Sequence, residues 1–255
     1  MSSAVSSAAG PSTGGLSLRG VSKAFGQVQA LTNVDLDVSP GEILAIVGDN
    51  GAGKSTLIKA VCGVYRPDSG TIAVDGQEQH FSSPADAKKA GIATVFQDLA
   101  LVEVLDVATN MYIGQLPTRG WFVDKGKMER DTRELLDTLK VTVRSVRTPI
   151  GMLSGGQRQI VAIARAMRTG ARVVLLDEPT AALGVRETAH AAKLINSLRE
   201  RGAAVICISH DMGFVFEMAD RVQIMRLGRT AAVRKVKDTD KSEVVSLITG
   251  ATSDE

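Results

Sequence analysis

The run Gly48-Asp49-Asn50-Gly51-Ala52-Gly53-Lys54-Ser55 places glycines, a lysine and a hydroxyl at the spacing of a phosphate-binding loop. Glycines let the backbone curl so that successive N–H groups point inward at a β-phosphate. A helix beginning at the loop's end adds the positive end of its dipole. In that arrangement Lys54 reaches the β- and γ-phosphates, Ser55 offers its hydroxyl to Mg2+, and Thr56 touches the α-phosphate. The plain alternative is a glycine-rich turn. The apolar run Ile43 to Val47 before the loop and the helical pattern from about Gly53 to Cys62 after it favour the phosphate reading.

A second constellation lies downstream, where the apolar run Val173 to Leu176 ends in Asp177 and Glu178. Two carboxylates are costly inside a sheet but useful at its edge, because open α/β sheets bind ligands outside the carboxyl ends of their strands. Asp177 can then meet the Mg2+ held by Ser55, which leaves Glu178 to polarise a water for attack on a γ-phosphate. A third run, Leu153-Ser154-Gly155-Gly156-Gln157, puts a hydroxyl and two glycines in front of a helical pattern from about Gly156. That is a second anion cradle. One chain would carry two half-sites.

The elements that must position these groups alternate. Leu16 to Val38 reads as strands, and Pro40-Gly41 as the turn into Ile43 to Val47. TIAVDG and IATVFQ (Ile92 to Gln97) read as further strands, Leu99 to Leu139 as mainly helical with a loop at Pro117 to Gly120. A helix over Arg186 to Arg201 and the strand AAVICIS follow. Strands alternating with helices imply a mostly parallel sheet. One phosphate motif without an internal repeat implies one nucleotide-binding unit.

Composition excludes more than it selects. At 255 residues the chain suits one large α/β domain, and 44% hydrophobic with 23% charged residues is ordinary globular usage. The apolar runs are a few residues each, far below the roughly 20 of a membrane helix. A net charge of +2 gives no footprint for nucleic acid. Cys62 and Cys207 are far apart, lack a CxxC spacing and read as inert buried thiols. The start, MSSAVSSAAGPSTGG, has neither a basic nor an apolar region and reads as a flexible tail rather than a secretory signal.

LSGGQ at Leu153 to Gln157, in register with the phosphate loop and the Asp177-Glu178 pair, resembles the signature of the ABC ATPases, and the resemblance covers roughly Leu16 to Arg229. It implies a P-loop NTPase ABC ATPase fold, with a mostly parallel core sheet, an N-terminal antiparallel β-subdomain and an inserted helical subdomain. The expected limits are a tail over 1–15, an ATP-binding domain over 16–250 with its helical subdomain at about 98–168, and a tail over 251–255. Further roles come with the resemblance. Phe25 occupies the position that stacks on adenine, Gln97 the position that senses Mg2+ and water, and His210 the switch that contacts the γ-phosphate. His80 and His190 fit no motif and read as solvated. The family's cofactors are ATP and Mg2+. Its two half-sites lie on opposite sides of the domain, so that two copies must pack head to tail around ATP. One departure is Gly184, where the family usually carries an aspartate that couples the two sites.

EPTAALGVRET, GVYRPDSGTI and LVEVLDVATNMYIGQ look like the monosaccharide-importer branch, nearest to single-domain fructose-type members. The resemblance then implies transmembrane permease subunits as partners, an extracytoplasmic sugar-binding protein acting indirectly, and a place on the cytoplasmic face of the cell membrane. The groove for a permease helix is expected around Asp98 to Glu103. The rival class, a soluble ABC ATPase working on ribosomes or DNA, calls for tandem domains, a long coiled-coil insertion or a basic block. The interval from Ser55 to Leu153 shows no sustained heptads and no such block.

Overall fold

The computed structural model describes residues 14–181 and 183–251. Most of the expected N-terminal tail, Ala182 and residues 252–255 therefore lie outside the described residues. The strands are β1 (Leu16–Phe25), β2 (Val28–Val38), β3 (Ile43–Val47), β4 (Ser69–Val74), β5 (Gln77–Gln79), β6 (Ile92–Val95), β7 (Thr118–Arg119), β8 (Phe122–Val123), β9 (Val173–Asp177), β10 (Ala204–Ile208), β11 (Arg221–Arg226) and β12 (Arg229–Lys235). The helices are α1 (Lys54–Val61), α2 (Pro84–Lys89), α3 (Val107–Tyr112), α4 (Lys125–Thr138), α5 (Gly155–Arg168), α6 (Val185–Glu200), α7 (Met212–Met218) and α8 (Lys241–Thr249).

Six strands form the main sheet in the order β12-β11-β3-β10-β9-β6, parallel except for the β11–β12 pair. A four-stranded antiparallel sheet, β2-β1-β4-β5, packs over one of its faces. Every residue of β3 and β10 is buried, as expected for parallel strands covered on both sides. Alternation along the strands splits their side chains between two cores. Leu44, Ile46, Val173, Leu175 and Ile206 join Leu18, Leu36 and Ile58 on the antiparallel-sheet side. Ile43, Val174, Leu176, Val205 and Cys207 join residues of α3, α5 and α6 on the other. Each fully buried Leu or Ile contributes about 1.5–3 kcal/mol. The phosphate loop and Asp177 are thus carried on strands buried in the centre of the main sheet.

The inserted region is less helical than its sequence pattern suggests. Residues 99–106 form no regular element; Leu99 and Leu101 pack on the core, Val102, Val104 and Leu105 are exposed, and side chains from α3 and α5 tie the backbone down. Asn110, fully buried on α3, accepts from Val102 N–H at 2.8 Å and donates to the carbonyls of Val102, Leu105 and Asp106 at 3.0–3.1 Å. Those bonds satisfy groups that a helix would have paired internally. Pro117 to Gly120 is part of the β7–β8 hairpin, whose two-residue strands are too short to show alternation in sequence. His190 is another correction. It is half-buried on α6, with Nε2 3.4 Å from the Leu139 carbonyl, while His80 is exposed as expected.

Gly48 is where the fold constrains the loop most tightly. Its φ is +150°, and a Cβ there would stand 2.2 Å from the carbonyl oxygen of Met225 on β11. Gly51, φ +81°, has open space around its Cβ position. Gly48→Ala is therefore expected to destabilise by about 3 kcal/mol or more, through both clash and backbone, and Gly51→Ala by about 1 kcal/mol through backbone alone. Urea melts of the two variants check the ordering.

Candidate functional site

β3 ends at Val47, and the chain turns through Gly48 to Gly53 into α1, whose first residue is Lys54. Gly53 caps the helix in the left-handed conformation, φ 99°, and a Cβ there would meet the Ala30 carbonyl at 2.7 Å. The loop is thus wedged between β11 on one side and the start of β2 on the other. Lys54 is buried, and its Nζ donates to the carbonyls of Gly48 at 2.6 Å and Asp49 at 2.9 Å. Burial lowers its pKa, opposed by the negative charges of Glu178, Asp49 and Asp177.

β9 and β10 deliver the opposing groups. Asp177 is the last residue of β9 and pairs in register with Ile208 of β10. Burial raises its carboxyl pKa against the pull of Lys59, Lys54 and His210. Glu178 follows with φ 52°, a left-handed conformation that costs a non-glycine residue about 1–3 kcal/mol. Its N–H donates to the Ile208 carbonyl at 3.0 Å, which fixes the turn. Burial also raises the Glu178 pKa, and His210 opposes that shift most strongly. His210 Nε2 lies 3.1 Å from Glu178 Oε1, with the imidazole half exposed and the carboxylate largely covered. Glu178 Oε1 has no well-aligned hydrogen bond, so it retains acceptor capacity.

These groups surround one cleft of about 300 Å³. Asn50 to Thr56, Gln97, Asp177, Glu178, Ile208 and His210 line it. Val28, Gln29 and Ala30 complete the wall. That contribution escaped the sequence reading, because only the folded β1–β2 hairpin brings it there. Phe25 stands at the end of β1, outside the cleft lining. Its ring meets Tyr65 edge-on at 4.9 Å, with Lys23 Nζ 5.6 Å away, and 42% of the residue is exposed. Gly48 and Asp49 contribute carbonyls to Lys54 rather than cleft wall.

The donor set suits a divalent cation with a phosphate. Ser55, Gln97 and Asp177 offer oxygens, and Asp177 makes no side-chain hydrogen bond among the described residues. No group of three His, Cys, Asp or Glu side chains capable of holding a metal occurs among the described residues. One carboxylate and a hydroxyl without a complete protein cage is how Mg2+ is held when phosphates supply further ligands. The residues fit the ion.

Leu153 to Gln157 stand apart from this cleft. Ser154 caps α5, accepting from Gln157 N–H at 3.2 Å, while Gln157 Oε1 accepts from Ser154 N–H at 3.0 Å. Gly156 is needed internally: a Cβ would collide with Glu187 at 2.4 Å. Gly155 is not, since a Cβ there meets nothing within 4 Å, although it lines a pocket that also includes Gln97. Within one chain, the exposed end of α5 therefore has a glycine with no steric reason of its own. Gly184 caps α6, and Glu187 Oε2 lies 2.8 Å from where its Cβ would be.

A further cavity, about 280 Å³ and mainly apolar, lies between β6, α2, α5 and the turn that follows α3. Ala93, Phe96, Ile113, Ala162, Arg165 and Ala166 are among its walls. Arg165 donates to the Ala100 and Leu99 carbonyls at 2.9 Å, which links this wall to the segment after Gln97. The groove anticipated at Asp98 to Glu103 is a separate pocket beside Gly155 and Arg158.

Comparison with known proteins agrees with this geometry. The ABC transporter family matches residues 31–181. The chain is 47% identical to the fructose import ATP-binding protein of Rhizobium meliloti, covering 92% of this chain and 94% of that one. It is 39% identical to the xylose/arabinose import ATP-binding protein of Sulfolobus acidocaldarius, covering 92% and 93%. It is 40% identical to the galactose/methyl galactoside import ATP-binding protein of Salmonella typhimurium, of which it spans 46%. Among solved structures, an ATP-binding cassette in a dimeric post-hydrolysis state bound to ADP and Pi superposes with a TM-score of 0.75 at 27% identity, over 88% of this chain and all of that one. Chain, fold and cleft together make this protein a member of the ABC transporter family, an ATP-binding subunit that hydrolyses ATP.

Proposed function

We propose that this chain powers monosaccharide import, two copies pairing head to tail beneath a membrane permease to which a sugar-binding protein outside the cell delivers substrate. Fructose or a similar sugar is the cargo this reading favours, on the relatives named above. The rival assignment to ribosomes or DNA finds no support among them. No helix among the described residues is long and apolar enough to cross a membrane, so the reading places the chain against the cytoplasmic face through its permease.

The single observation that carries the pairing is Gly155. Its open face, beside a capped helix N-terminus with a free hydroxyl proton on Ser154, suits close approach of a phosphate that this chain's own cleft does not bring there. In the proposed assembly Lys54, the loop N–H groups and Thr56 hold the phosphates. Ser55, Asp177 and Gln97 would hold Mg2+, whose chemistry is to neutralise charge on the phosphate oxygens. Glu178 accepts a proton from, or orients, the attacking water, and His210, 3.1 Å away, opposes the rise that burial imposes on the Glu178 pKa while facing the γ-phosphate. Leu153 to Gln157 of the second copy close the site. Phe25 covers the adenine from the hairpin end.

The apolar cavity beside Arg165 fits the permease. It is concave, lined by small and apolar residues, and tied through the Leu99 and Ala100 carbonyls to the segment that begins at Gln97 in the cleft. A helix seated there would shift a segment that reaches the nucleotide.

Two outcomes are expected. Glu178→Gln should bind ATP but lose turnover by about 100-fold or more, and should accumulate an ATP-dependent dimer on size-exclusion chromatography. Retained turnover would sink the role of Glu178. Ile113→Glu, on the exposed wall of the apolar cavity, should leave basal ATPase within about twofold while abolishing stimulation by permease and sugar-loaded binding protein in vesicles. Unchanged stimulation would remove the cavity from the coupling route.

A further inference from the structure

The β7–β8 hairpin exposes what soluble surfaces usually hide. Its turn, Gly120-Trp121, and the first residue of β8 carry Trp121 at 99% exposure and Phe122 at 80%. Two-residue strands add almost no stability of their own, so the rings are not displayed as a by-product of core packing. The surrounding charge is predominantly basic once its ion pairs are set aside. Asp124 accepts from Lys127 N–H as the cap of α4, Glu129 pairs with Arg147 at 2.7 Å, and Lys127 pairs with Asp131 at 2.6 Å. That leaves three cations, Arg119, Lys125 and Arg130, all exposed and making no hydrogen bond or ion pair among the described residues, against the single carboxylate of Asp124, whose charge the backbone bond does not neutralise.

We infer that this tip is a lipid contact, inserting Trp121 and Phe122 at the interfacial level of an anionic membrane while Arg119, Lys125 and Arg130 meet lipid phosphates. Tryptophan prefers the headgroup region, where its ring is buried and its N–H stays wet, and a basic rim adds attraction to anionic lipid. A protein partner would need a preformed socket for two rings on a protruding turn; the interface of a bilayer needs none. Position agrees. The hairpin starts three residues beyond Gln115, which with Ile113 lines the apolar cavity read above as the permease face. The orientation toward the membrane rests on that reading. Binding to lipid does not, and can be measured on the subunit alone.

The sequence holds a single tryptophan, so its emission reports this tip and nothing else. The full chain is titrated with vesicles of phosphatidylglycerol and phosphatidylcholine, with and without acyl-chain bromination, and then incorporated into the same lipids with its permease, the permease's own tryptophans having been replaced by phenylalanine so that Trp121 remains the only emitter. Expected are a blue shift with anionic vesicles, quenching by brominated lipid, and partitioning about tenfold weaker onto pure phosphatidylcholine or at high salt. Phe122→Ser should weaken partitioning by about tenfold with ATPase activity unchanged. Brominated-lipid quenching seen only with the permease present also supports the contact. Water-like emission in both preparations overturns it. So does a blue shift in permease vesicles that brominated lipid fails to quench, which would mean that the permease protein covers the tip. Neither overturning result touches the ATPase assignment, which stands on Lys54, Asp177 and Glu178.

Discussion

The site depends on one buried cation held among carboxylates at the edge of a parallel sheet. Lys54 is inside the protein, where burial works against its charge, and Glu178, Asp49 and Asp177 work for it. The carboxyls of Asp177 and Glu178 are pushed the other way by the same burial. Each charge is tolerable only because the others are fixed nearby, and they are fixed because three adjacent strands end there. β3 supplies the loop, β9 supplies Asp177 and Glu178, and His210 follows two residues after β10. Removing any one charge leaves the rest as uncompensated charge in a low-dielectric setting. A γ-phosphate with its cation enters this balance as further charge, which is why such a cluster can respond to nucleotide.

Rigidity around the loop and adjustability elsewhere follow from the same layout. Gly48 and Gly53 are pressed against backbone carbonyls of Met225 and Ala30, so the loop cannot relax. The segment after Gln97 is different. It has no regular structure and is held by side chains: Asn110 from α3, Arg165 and Arg158 from α5. Side-chain tethers of this kind can be exchanged without unfolding an element. Their location between the nucleotide cleft and the apolar cavity is where exchange would transmit work.

Much of this was legible in the sequence for a simple reason. The phosphate loop, the Asp177-Glu178 pair and the signature turn are each contiguous, so their chemistry survives as spacing. The strands and the parallel sheet were legible because β3, β9 and β10 are short apolar runs with helical patterns between them. What spacing could not show was assembly across distant segments. Val28 to Ala30 enter the cleft only through the β1–β2 hairpin, and the apolar cavity draws on four elements between Cys62 and Ala171. The apolar residues of 99–106 give a helical pattern, yet only Leu99 and Leu101 pack inward; the side chains that pair this backbone, the buried Asn110 and Arg165, leave no periodic trace. His190 fits no motif in the sequence, and it packs against the Leu139 carbonyl because α6 turns it toward the inserted region.

The central claim is that each ATP site is shared between two copies, and a mixing experiment tests it most directly. Lys54→Ala disables the phosphate loop, and Gly155→Arg blocks the signature turn without a clash in its own chain at Cβ. Each should be inactive alone. Mixed one to one, they should regain about a quarter of wild-type turnover, because half the dimers then contain one intact shared site. The double variant mixed with wild-type chain should recover nothing beyond its wild-type homodimers. The opposite pattern, no recovery in the first mixture and excess activity in the second, would mean that each chain completes its own site and would contradict the account.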